Sequence, residues 1–180
     1  MTLLDHLRRM AGNNLWSNDR LYRAVLALQP GEFEAERNSF FPSIKATLNH
    51  ILAVDHLYLD FLEEGGVGAA AHDDFRPFDE PQALFAAQIA ADRRLIDFCQ
   101  GLSETDLDRR VITDRREDGR IPERIGDILA HVFLHDIHHR GQVHAMLSGT
   151  SVKPPQLDEF LLDYDAKLRA KEVERLGLKI

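Results

Sequence analysis

The chain has 180 residues and one cysteine, with 22 basic against 30 acidic side chains and a formal net charge of -8. That length suits a single domain with a sizeable core, and the lone Cys99 excludes an internal disulfide framework. Basic residues interspersed with acids exclude a surface built to wrap nucleic acid, and no apolar run approaches the roughly 18 residues of a membrane span. The opening MTLLDHLRRM lacks the charged, long-apolar and small-residue regions of a signal peptide, so a cytoplasmic setting is expected.

In chain order, helical periodicity runs first from about Leu3 to Leu28 and stops at Pro30-Gly31. A second helix begins near Ser43, after Phe41-Pro42, and ends at Gly65-Gly66. The Gly/Ala-rich stretch Gly65–Pro77 reads as a loop. A third helix follows Asp79-Glu80-Pro81, where proline suits the first helical position, and runs to about Gln100. The polar segment 111–123 carries Asp118-Gly119, a tight-turn signal compatible with a small hairpin. The fourth long helix is expected from Ile121 or Pro122 to Ser148, and a C-terminal helix from about Gln156 to Leu176. β-branched alternation is nearly absent. The expected class is all-α, a four-helix bundle with an additional C-terminal helix.

Five of the nine histidines fall in HVFLHDIHHRGQVHAML, His131 to Leu147. At roughly 100° per residue, His135 and His139 stack one turn apart in the middle of the apolar stripe with Ile128, Val132 and Met146. On the second helix His50 shares its side with Thr47, Val54, Leu57 and Phe61, so it also points inward. Interior imidazoles need partners. Two at i and i+4 reach one metal ion, and a third from a facing helix completes a three-nitrogen set with open positions. Hydrogen-bonded core histidines are the alternative. Gln142 returns to the histidine side and suits the orienting of a ligand imidazole, while His131 stands as a reserve ligand. Asp55 and Asp136 fall off these faces and read as surface charges or second-helix contacts rather than ligands. Arg140 reads as pointing outward, paired with an acid, and Gly141 as the mark of a close helix approach. Cys99 reads as a small core residue.

These residues resemble the DinB family, the DinB/YfiT-like metalloenzymes. The likeness is carried by NNLWSNDRLYRAVLAL (Asn13–Leu28), FFPSIKATLNHILAVDHLYL (Phe40–Leu59), the histidine run, and PPQLDEFLL (Pro154–Leu162), nearly the whole chain. The resemblance implies an up-down-down-up bundle, 1–180 as one domain, often dimeric. It implies a divalent metal, nickel or zinc, on His50, His135 and His139. Relatives include thiol-dependent S-transferases, so a small-molecule substrate, such as a low-molecular-weight thiol, is implied, with metal-assisted hydrolysis as another reaction. Both helices also carry outward apolar residues, Ala130, Phe133, Leu134 and Ile137 on one and Leu48, Leu52 and Leu59 on the other, which suggests a two-fold homodimer. A different class stays open: a non-catalytic, stress-related binding or sensor protein with a structural metal or none.

Overall fold

A computed structural model describes residues 1–179. The chain is all-α apart from one short hairpin. Its elements are α1 (Leu3–Val25), α2 (Ile44–Glu63), a single turn α3 (Ala70–Asp73), α4 (Pro81–Gly101), β1 (Arg110–Asp114), β2 (Arg120–Arg124), α5 (Ile125–Leu147) and α6 (Ala166–Leu176).

The helix ends follow local chemistry. Thr2 forms a capping box with Asp5, the Asp5 amide donating to Thr2 Oγ1 at 3.1 Å and the Thr2 amide to Asp5 Oδ2 at 3.0 Å. Ser43 Oγ accepts from the Ala46 amide at 3.0 Å and fixes the start of α2. Pro81 occupies the first turn of α4. At the start of α5, a Cβ on Gly126 would meet the Leu107 carbonyl at 3.3 Å, so this is a glycine of close approach on α5. Gly141 is not: nothing lies within 4 Å of a Cβ built there.

Around the bundle the helices run α1, α4, α2, α5. α1 packs on α4 and α5, and α2 packs on the same two helices. The pairs α1–α2 and α4–α5 therefore lie across the diagonal, and the long connections 26–43 and 102–124 carry the chain over. Burial follows from this order. Leu48, Leu52 and Leu59 on α2 are all at most 2% exposed, because α2 has a partner on two sides. The expected outward apolar face of α2 is thus internal. On α5, Phe133 is buried too, while Leu134 and Ile137 are 68% and 46% exposed.

Two helix boundaries differ from expectation. Residues 121–124 pair with β1 in an antiparallel hairpin, Thr113 opposite Ile121, so α5 begins only at Ile125. The C-terminal helix begins at Ala166 rather than Gln156. The preceding segment is held extended because Phe160 packs into a cluster with Leu15, Trp16 and Leu176. Its carbonyls are taken by side chains instead of a helix. Arg20 donates to Gln156 O, Arg9 to Leu161 O and Arg169 to Leu162 O. Cys99 is fully buried, and burial pushes its thiol up to about 12.

Candidate metal centre

His50 stands on α2 with His135 and His139 on α5, and the packing of these two helices brings the three imidazoles together. One ring nitrogen from each lies within 4.8 Å of the others. His50 Nε2 and His135 Nε2 face each other at 3.1 Å. Two imidazole nitrogens on one zinc-like ion, each about 2.0–2.1 Å from it, lie about 3.0–3.4 Å apart, so the spacing fits a shared cation. Burial, together with His135 and His139, pushes the His50 imidazole down to about 4. Its neutral form, the ligating one, therefore dominates at neutral pH. His139 is held below its ordinary value by burial as well.

The other ring nitrogens are fixed from behind. His139 Nδ1 sits 2.9 Å from Gln142 Oε1, which suits donation from Nδ1–H to the amide oxygen. His135 Nδ1 lies 3.3 Å from Asp136 Oδ1, and that carboxylate favours the tautomer with its lone pair on Nε2. Gln142 Nε2 reaches His138 Nε2 at 3.1 Å. His131 stands apart from the converging group: it is exposed, its ring centroid is 6.4 Å from that of His135, and it packs on Tyr58 at 5.1 Å. Phe41 covers His50 with ring centroids 4.3 Å apart.

The histidine pair lies at the edge of the buried side of α5, not at its middle. Asp136 and Arg140 are 0% and 4% exposed, and both point roughly 100–140° around the helix from His135. α5 has to face α1 as well as α2, so the centre of its buried side falls between them. Of the two readings of Asp136, surface charge or contact to another helix, the second holds, since it accepts from Asn14 on α1; the expectation that Arg140 points outward is overturned. Asp55, on α2, is likewise buried at 4% exposure. The edge position is what leaves His135 partly open. Beside the three imidazoles lies a cavity of about 380 Å³ that also touches His72, Arg116 and His131. Arg116 pairs with Asp73, so the hairpin turn and α3 close over one rim. A second cavity of about 460 Å³ flanks the other side of His50, against Phe75 and Pro77.

Behind the histidines sits a buried polar network. Asn14 Nδ2 donates to Asp136 at 2.8 Å and to Asp92 at 3.1 Å, and Asn18 Nδ2 donates to both Asp92 oxygens at 3.0 Å. Arg140 donates to the side-chain oxygens of Asn14 and Asn18. Gln88 donates to Asp55 at 2.6 Å and to Asp92 at 3.2 Å. Burial pushes the Asp92 carboxyl up to about 7. Asp55 is raised well above the carboxylate range by burial and by Asp136 and Asp92. Among the described residues Asp55 Oδ1 has no hydrogen-bond partner. The signal for this network was present in the sequence as Asn14/Asn18 and Gln88/Asp92, polar pairs at i and i+4 where a helix core should be apolar.

Comparison with known proteins agrees with this architecture. The DinB family model matches residues 3–172. The chain belongs to the DinB family. A relative, protein DinB of Bacillus subtilis (strain 168), is 23% identical over 142 residues, covering 74% of this chain and 80% of the relative. The crystal structure of a DinB-like protein of Bacillus subtilis superposes with a TM-score of 0.57 at 17% identity, covering 82% of this chain and 96% of that one. At that identity the likeness speaks for the shared fold. The DinB-type bundle is thus the frame on which the three histidines sit, and among the described residues no helix is long and apolar enough to cross a membrane.

Proposed function

We propose that this DinB-family protein binds one divalent cation, nickel or zinc, through His50, His135 and His139, and works as a metal-dependent enzyme. The observation that carries the reading is a three-imidazole set beside a cavity. A structural site closes its shell with a fourth protein ligand, whereas a catalytic one keeps a position open. Among the described residues, no carboxylate or cysteine joins the three imidazoles in the converging group.

A cation there would lower the pKa of a bound water or thiol toward neutrality. The rest of the chemistry falls to the chain. Gln142 and Asp136 hold the His139 and His135 rings in orientation. Phe41 shields His50 from bulk water. His72 and Arg116 give the cavity rim donors for an anionic or polar substrate. A thiol-dependent S-transferase acting on a low-molecular-weight thiol fits this arrangement, with hydrolysis as the other reaction supported by the same open position. The setting we propose is cytoplasmic, and the assembly a homodimer formed over the exposed Leu134 and Ile137 of α5.

Elemental analysis of protein purified without an affinity tag tests the metal. A screen of small thiols against electrophiles then tests the reaction. Protein free of metal, and unable to take up nickel or zinc, would leave the non-catalytic binding or sensor role as the better reading.

A further inference from the structure

A cavity of about 500 Å³ lies on the other flank of α5, between α1, α5 and the extended segment 156–161. Its volume falls within the range of small-molecule sites. Its walls are mostly apolar, with Phe160 and Leu157 on one side and Met10 and Ile137 opposite. Set into them are three polar side chains that are at least nine-tenths buried: Asn13, Ser17 and Arg140, at 9%, 2% and 4% exposure.

Two of these have hydrogen-bonding capacity to spare. All Arg140 hydrogen bonds run through Nη1, to Asn14 and Asn18. Among the described residues Nε and Nη2 have no partner, and neither is among the buried polar atoms sealed from solvent. Arg140 lines this cavity, and the Nε/Nη2 edge is the part of its guanidinium left for a ligand there. Asn13 uses Oδ1 to accept from Ser17 Oγ at 3.2 Å, and its Nδ2 makes no bond to the described chain. Gly141 adds an independent observation. It costs a helix interior about 1 kcal/mol against alanine, no neighbour approaches within 4 Å of its missing Cβ, and it lines the same cavity. Gly141 is exposed, so a side chain placed there would reach over the cavity mouth.

We propose that this cavity binds a small monocarboxylic acid with an apolar tail. The carboxylate is taken by the Nε/Nη2 edge of Arg140 and by Asn13 Nδ2, and the tail lies over Gly141 against Phe160 and Leu157. The side-on guanidinium edge presents two parallel N–H donors, the geometry a carboxylate accepts best. Asp158, exposed at the mouth and accepting from Gln156 at 2.7 Å, disfavours an acid with a second negative charge. This site is separate from the metal centre and does not depend on metal being bound there.

The chain's single tryptophan, Trp16, packs on Phe160 with ring centroids 5.5 Å apart, so its emission reports on the cavity. Titration with octanoate is expected to give a saturable change in Trp16 fluorescence. Octanol, with the same tail and no carboxylate, is expected to bind at least about tenfold more weakly. Gly141→Leu projects a side chain into the open space, leaves the buried network intact, and is expected to weaken octanoate by at least about tenfold. Equal affinity for octanol and octanoate overturns the carboxylate assignment without needing any variant. The absence of a saturable response to octanoate, or unchanged affinity in a folded Gly141→Leu protein, overturns the site. A Gly141→Leu protein that turns from dimer to monomer in sedimentation, with no octanoate response in the parent, assigns the cavity to a second copy of the chain instead.

Discussion

α5 carries two polar regions that look alike in the sequence and behave differently in the fold. His135 and His139 sit at its edge, His135 partly open and His139 buried, with ring nitrogens gathered within 4.8 Å of each other and of His50. One residue along from each, Asp136 and Arg140 sit in the dry interior, with their polar atoms turned toward the side chains of α1. The first region gathers ring nitrogens beside an open cavity; the second turns Asp136 and Arg140 Nη1 onto internal partners and leaves only the Nε/Nη2 edge of Arg140 unpaired among the described residues. A buried charge is tolerated only when paired and hydrogen-bonded; Arg140 and Asp136 lie 3.8 Å apart as an ion pair, and Asn14 and Asn18 supply their hydrogen bonds. An imidazole site has the opposite requirement, since every lone pair used internally is one fewer for a cation.

The sharpest way to separate the two regions is to delete one member of each. His50→Ala leaves two imidazoles, and the variant is expected to lose its metal while folding as the parent does, because His50 stands at the rim. Equal metal by elemental analysis in variant and parent would remove His50 from the site. Arg140→Met is expected to do the reverse. It strands Asp136 and the Asn14 and Asn18 oxygens and costs about 3–5 kcal/mol, read by urea denaturation of metal-free protein. A loss under about 1 kcal/mol would show that the network carries no ionised pair. Gln142→Ala touches only the support of His139 and is expected to weaken metal binding by about 10–100-fold, measured by competition with a chromophoric chelator, with unfolding unchanged.

The two regions also respond to pH with opposite sign. His50 has its pKa lowered from 6.5 to about 4. Between those values the unfolded chain holds the extra proton, so this contribution to stability is lost as pH falls. Asp92 has its pKa raised from 3.8 to about 7 beside Asp136, Asp55 and Arg140. There the folded chain holds the extra proton, and stability falls as pH rises through the window. Asp92→Asn removes the second effect alone. Its stability is expected to climb more steeply with pH between 4 and 6.5, by up to about 1.4 kcal/mol per pH unit, in metal-free protein. Equal slopes would place the ionisation of Asp92 elsewhere. The smallest effect belongs to Gly141→Ala, expected to raise stability by about 0.5–1 kcal/mol, since the new methyl meets nothing. A destabilised variant would show that the helix is strained there.

The bundle was legible because its breaks are chemical: Pro30-Gly31, Gly65-Gly66, Pro81 and Gly149 punctuate the periodicity. The grouping of His50, His135 and His139 was legible because helical spacing alone stacks the last two. The buried network was not, for a geometric reason. A wheel anchored on His135 assigns one interior direction, but α5 is flanked by α2 and α1 and has two. Asp136 and Arg140 fall in the second direction, which a single-direction wheel takes as solvent-facing. The same flanking on α2, by α4 and α5, turned an apparent outer face at Leu48, Leu52 and Leu59 into core. Residues 121–124 and 156–165 have helical composition, but pairing with β1 and the anchoring of Phe160 override it.

The diagonal crossings of the chain set when the histidine site can come into being. Of the successive long helices only α2 and α4 pack together; α1 and α2, and α4 and α5, do not, so α5 finds its partners only in helices made well before it. His50 emerges from the ribosome some eighty-five residues before His135, and meets it only when the last long helix is available to pack. Under the proposed metal binding, loading would belong after synthesis of α5, and a fragment ending before Ile125 carries one of the three imidazoles and none of the pair. In this fold the site cannot be used to start folding; it is a product of having finished.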